Sequence, residues 1–147
     1  MKRFFHFAAA TLALGLMMYP SQVHATTCSN STIKGTYAFT LRGQIFVPNG
    51  PVLVVDGVAR VTFDGHGNFT QVDAVAENGN VAPGWRPGSG TYSVNPDCTG
   101  AQTIQVADLP DLHLQFIISG SGNKIRQVVI DPGIATTAEG ERLRIVH

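Results

Sequence analysis

From residue 35 onward, apolar and polar side chains alternate in short runs. Within 35–41, Tyr37, Phe39 and Leu41 fall on one face and Thr36, Ala38 and Thr40 on the other, the two-residue period of a strand. A second run, 52–64, places Val55, Ala59, Val61 and Phe63 on one face with Gly57, whose missing side chain predicts a bend or bulge. Asp64-Gly65-His66-Gly67-Asn68 then reverses the chain, because Gly and Asn accept the positive φ of a tight hairpin. Residues 69–77 form the return strand, and 78–90, rich in Gly and Pro around Trp85, predict a loop.

Strand character resumes at 91–94, turns through 95–100 and returns over 102–106. Leu112, Leu114, Phe116 and Ile118 alternate along 112–119. A Gly-Ser-Gly-Asn turn at 120–123 leads into 124–131, and 142–146 reads as the last strand. About eight strands joined by mostly short connections predict an all-β fold, an antiparallel, mostly up-and-down barrel in which closure removes exposed edges. A two-sheet β-sandwich is the alternative. No stretch shows sustained helical periodicity, and there is no internal repeat.

The N-terminus is a different kind of sequence. Lys2 and Arg3 precede an apolar run over 7–18, and Val23-His24-Ala25 offers small residues for cleavage, the organisation of a secretory signal. The run is shorter than the ~20 residues that span a bilayer, and Pro20 with Ser21 breaks the stretch just past its end. The domain reading is therefore a signal peptide over 1–25 and one barrel domain over 26–147, secreted or periplasmic, with no stable membrane anchor. Both cysteines, Cys28 and Cys98, lie in the exported part, where a disulfide is favoured. Closing so long a loop stabilises the fold by about 4 kcal/mol in the chain-entropy account. Without its signal the chain is slightly acidic and carries no basic run, which excludes nucleic acid as the natural partner.

Familiar catalytic patterns are missing. The chain has no H-E-x-x-H, no phosphate loop, no G-x-S-x-G elbow and no EF-hand loop, so no catalytic residue, metal site or cofactor is assigned. Asp64, His66 and Asn68 are better read as turn residues than as cation ligands. Arg60, Arg126, Arg142 and Arg144 alternate with apolar neighbours; a solvated outer face is the ordinary place for them, whereas an inward one would bind an anionic head group. Apolar residues on both faces of 112–119 and 124–131 predict an outer patch covered by a loop or a second subunit. Trp85 is a lid over the barrel mouth or an anchor for a partner. Asn30-Ser31-Thr32 and Asn68-Phe69-Thr70 match the short glycosylation acceptor pattern.

Several of these segments carry a resemblance. Cys28, Gly35-Thr36-Tyr37-Ala38-Phe39, Phe63-Asp64-Gly65-His66-Gly67, Gly90-Thr91-Tyr92-Ser93-Val94-Asn95 and Asp97-Cys98-Thr99-Gly100 resemble small secreted bacterial β-barrel proteins of uncharacterised function. The architecture this implies is similar to that of lipocalins and allene oxide cyclases, whose barrels enclose apolar cavities. The lipocalin G-x-W is replaced here by Gly35-Thr36-Tyr37, and no cyclase active site is matched, so no residue role is carried over.

Three functions are expected. The first is binding of a small apolar or amphipathic ligand inside the barrel, against Tyr37, Phe39, Val61, Phe63, Leu114 and Phe116, with Arg126 as a polar contact. The second is an isomerase or cyclase using the same cavity through Arg126, His113 or Tyr92. The third is an interaction module that forms homo-oligomers through its outer face.

Overall fold

A computed structural model describes residues 27–144; the export signal read in 1–25 lies outside them. In chain order the strands are β1 (Gly35–Phe46), β2 (Val52–Phe63), β3 (Asn68–Glu77), β4 (Asn80–Val81), β5 (Arg86–Val94), β6 (Thr99–Val106), β7 (Leu112–Ser119), β8 (Lys124–Val129) and β9 (Ile134–Arg142). They pair in the order β2-β1-β9-β8-β7-β6-β5-β3-β4, and β2 also pairs with β3. That last pairing closes a barrel of eight antiparallel strands, with β4 a two-residue spur on β3. Neighbours in the barrel are neighbours in the chain, so the topology is up-and-down and no edge of the barrel is left unpaired.

The closed half of the barrel is filled by rings. Tyr37, Phe39, Phe63, Phe69, Tyr92 and Phe116 pack with Ile33 and Ile125, and the Phe63 centroid lies 5.5 Å from Tyr37 and 5.0 Å from Tyr92 in edge-to-face contacts. Room for them comes from glycine on the neighbouring strand. Phe39 is the cross-strand partner of Gly140, Phe69 of Gly90 and Phe116 of Gly100, and a Cβ on any of the three glycines would fall within 2.5 Å of the facing ring.

A 3-10 turn, Asn30–Ile33, covers this end, tied to the β5–β6 turn by the Cys28–Cys98 disulfide. The Arg142 guanidinium completes the plug: it donates to the carbonyls of Lys34, Thr32 and Gly122 and lies 5.0 Å from the Tyr37 ring centroid. The Tyr37 hydroxyl donates to the Gly122 carbonyl as well. Burial pushes the Tyr37 phenol up to about 12, with Arg142 acting in the opposite direction. Arg142 is thus a structural latch on the closed end.

Three local expectations need correction. The loop read over 78–90 ends early, because β5 begins at Arg86 and contains Pro87. The Tyr92 amide points to Gly67 beside β3, so alternation aims the Pro87 nitrogen toward β6, whose pairing with β5 starts only at Gly88; the missing N–H breaks no rung. The last described strand is Ile134–Arg142 and not 142–146, of which 145 and 146 lie outside the described residues. After Ile134 its inward positions are Thr136, Ala138 and Gly140, small or polar residues that give no apolar alternation. Gly57 is not a bulge: the register runs unbroken through it to Leu41 on β1 and Val75 on β3, and its missing side chain makes room for theirs.

Candidate ligand-binding cavity

The open half of the barrel is not filled. Beyond the aromatic cluster lies a cavity of about 500 Å³, within the range of small-molecule sites. Its walls are aliphatic: Leu41 and Ile45 from β1, Val55 and Ala59 from β2, Ile104 and Val106 from β6, Leu114 from β7, Val129 from β8 and Ile134 from β9. The room follows from side-chain size, since the inward positions Ala59, Thr136 and Ala138 carry small side chains.

The expected lining divides between the two halves. Phe39, Val61 and Leu114 border the cavity. Tyr37, Phe63 and Phe116 belong to the packed cluster beneath it and do not line it. Arg126 stands on the outer face, its Nε 3.3 Å from Glu139 Oε1, with the side chain 56% exposed. It does not reach the interior. His113 also faces outward, its Nδ1 2.9 Å from Asp131 Oδ1. The Tyr92 hydroxyl is spent at the closed end, accepting from the Gly65 amide and donating to the Asn30 carbonyl.

A set of inward polar residues was not anticipated. On one wall Asp73, buried at 4% exposure, accepts from Arg86 Nε at 2.8 Å and Nη2 at 3.3 Å, and from Gln71 Nε2 at 3.0 Å. Two strands further round, Gln102 Nε2 on β6 donates to Gln127 Oε1 on β8 at 2.9 Å. Gln102 is only 6% exposed, and its Oε1 is the buried side-chain polar atom without a partner among the described residues. Strand parity was the available signal: Gln71 and Asp73 share a face with Phe69, Gln102 with Ile104, and Gln127 with Ile125.

The mouth is ringed by Glu77, Asp111, Asp131, Leu109 and the two prolines Pro110 and Pro132. The Asp131 carboxyl is held below its ordinary value, chiefly by the His113 backbone amide and then by its imidazole. Exposed apolar side chains gather near this end too, among them Phe46, Val47, Val81, Trp85 and Ile130. Trp85 is 61% exposed and does not line the cavity. At the other end Asp64 is fully engaged by its own turn, accepting from the amides of His66, Gly67 and Asn68 at 2.7 to 3.0 Å. Among the described residues no helix is long and apolar enough to cross a membrane. No known protein family and no curated protein matches the chain.

Proposed function

We propose that this is an exported binding protein that holds one small apolar or amphipathic molecule in the open half of its barrel. The observation that carries the reading is the cavity of about 500 Å³ with aliphatic walls and a few convergent polar groups, the usual composition of a ligand site. Burying an apolar ligand there gains about 25 cal/mol for each Å² removed from water. The disulfide fits an oxidising compartment, in keeping with the signal sequence, and the barrel shares its general plan with lipocalins.

The isomerase or cyclase alternative has less support, because Arg126, His113 and Tyr92 do not line the cavity. Assembly through the outer face is favoured by the exposed Ile117, Val128 and Ile130 on and beside β7 and β8. A chain that sediments as a monomer at high concentration would remove that second reading.

The direct test is a titration with the neutral fluorophore N-phenyl-1-naphthylamine. Saturable enhancement that is lost in Thr136→Phe, which fills the cavity from β9 while leaving the circular dichroism unchanged, is the expected result. Enhancement that survives in the filled barrel would place the probe elsewhere and overturn the proposal.

A further inference from the structure

The cavity's charge and its one unpaired acceptor point in the same chemical direction. Of the acidic residues near the open end, Asp73 is matched by Arg86 and Asp131 faces His113. Glu77 and Asp111 at the mouth, and Asp108 in the adjoining β6–β7 turn, form no ion pair among the described residues; Asp111 accepts only from Gln105 Nε2 at 3.1 Å. The other paired acids, Asp56, Glu139 and Glu141, lie on the outer wall. The closed end is balanced differently, with Lys34, Arg142 and Arg144 against Asp64 and Asp97. The barrel therefore carries a field that is negative at its open end. A low-dielectric cleft lined by one sign of charge concentrates that field and raises the local concentration of counter-ions.

The second observation is independent of the first. Gln102 lines the cavity, is more than nine-tenths buried, and leaves Oε1 without a donor, a condition that costs free energy until something supplies a hydrogen. The carboxamide is planar, so bringing Oε1 to the cavity swings Nε2 off Gln127 Oε1; the soft terminal torsion of glutamine permits that exchange, and a ligand able to donate to both oxygens compensates for it. A negative mouth asks for a cation, and an open acceptor asks for a hydrogen-bond donor. An ammonium group is both.

We propose that the ligand is an apolar molecule bearing a protonated amine, drawn in by Glu77, Asp108 and Asp111 and donating an N–H to Gln102 Oε1. The inference rests on the cavity reading above and adds the ligand's charge and donor. Arg86 does not oppose it, because its guanidinium is neutralised by Asp73 at 2.8 Å.

The test uses four ten-carbon probes on the mature protein at low salt, each displacing N-phenyl-1-naphthylamine: decylamine, decyltrimethylammonium, decanol and decanoate. Unscreened charges of this number predict that decylamine displaces at about tenfold lower concentration than decanoate, and that the gap narrows at about 0.5 M salt. In Glu77→Gln/Asp111→Asn the preference should shrink while decanol is unaffected. Decylamine outcompeting decyltrimethylammonium, with the advantage lost in Gln102→Met, would support the N–H contact; equality of those two in the native protein would overturn it. Equal displacement by decylamine and decanoate overturns the cationic ligand yet leaves the cavity reading intact. Failure of all four, together with a fluorophore signal indifferent to Thr136→Phe, overturns the cavity reading itself.

Discussion

The Phe116 ring occupies the space that a side chain on Gly100 would need: a Cβ there would lie 2.2 Å from Cζ and 2.4 Å from Cε2, and 2.5 Å from the Ser93 carbonyl. The two residues are direct cross-strand partners on β7 and β6, so the ring can shift only into the packed cluster. Gly100→Ala should cost about 2 kcal/mol, as overpacking of a filled core does. Gly140→Ala creates the same clash with Phe39, but Phe39 borders the cavity and has space to move into. Urea denaturation should show the smaller loss for Gly140→Ala, with weaker binding of the neutral fluorophore. Equal losses would mean that the cavity gives Phe39 no relief.

How far the sequence disclosed this arrangement depends on which residues point inward. Where the inward row is apolar, as in Tyr37-x-Phe39-x-Leu41 or Leu112-x-Leu114-x-Phe116, period-two alternation identified both the strand and the face. Where the inward row is small or polar, the same physics left no contrast: β9 presents Thr136, Ala138 and Gly140 to the interior, and the first half of β5 presents Arg86 and Gly88. Those positions are small because rings or empty space lie opposite them, which is a property of the partner strand and not of the segment itself. The boundary between packed and open halves was hidden for the same reason, so Tyr37, Phe63 and Phe116 read as lining when they form its base. Asp73 and Arg86 sit on different strands thirteen positions apart, and only the β3–β5 register brings them together.

That pair should show a marked asymmetry. Asp73 is 6% exposed in its side chain while Arg86 is 39% exposed, so removing Arg86 leaves a buried carboxylate supported by Gln71 alone. Arg86→Met is expected to cost roughly 3 kcal/mol, and Asp73→Leu/Arg86→Met less than the single change, because an apolar pair needs no compensation. Chemical denaturation of the three variants in a double-mutant cycle measures this. A double variant less stable than Arg86→Met would show that the pair itself, and not the orphaned charge, is what matters.

Asp64 should control part of the acid limb of stability. The amides of the turn, His66 foremost, hold its carboxyl at about 2 against an ordinary 3.8. A folded value below the unfolded one means that this contribution is fully present above about 4. It is lost as pH falls toward about 2. Carbon-detected NMR should find the Asp64 carboxyl titrating near 2 in the folded protein and near its ordinary value in urea. In Asp64→Ala the stability should fall less steeply between those pH values than in the native chain; an unchanged slope would mean that the turn forms without the carboxylate.

The disulfide and the cavity should prove separable. Cys28 and Cys98 are 70 residues apart, and the loop they close is worth about 4 kcal/mol in the chain-entropy account. The bond acts at the closed end, where it holds the 3-10 turn that buries Ile33 against the aromatic cluster. The cavity opens at the other end and takes no lining residue from this turn. Cys28→Ser/Cys98→Ser should therefore lower the urea midpoint substantially while leaving the affinity for N-phenyl-1-naphthylamine within about twofold under conditions where the chain remains folded. Proteolysis should locate the new weakness: cleavage before Gly35 would show that only the plug is loosened. Cleavage in β1 or β9, accompanied by lost probe binding, would instead mean that the aromatic base and the cavity walls share one cooperative unit that the disulfide sustains.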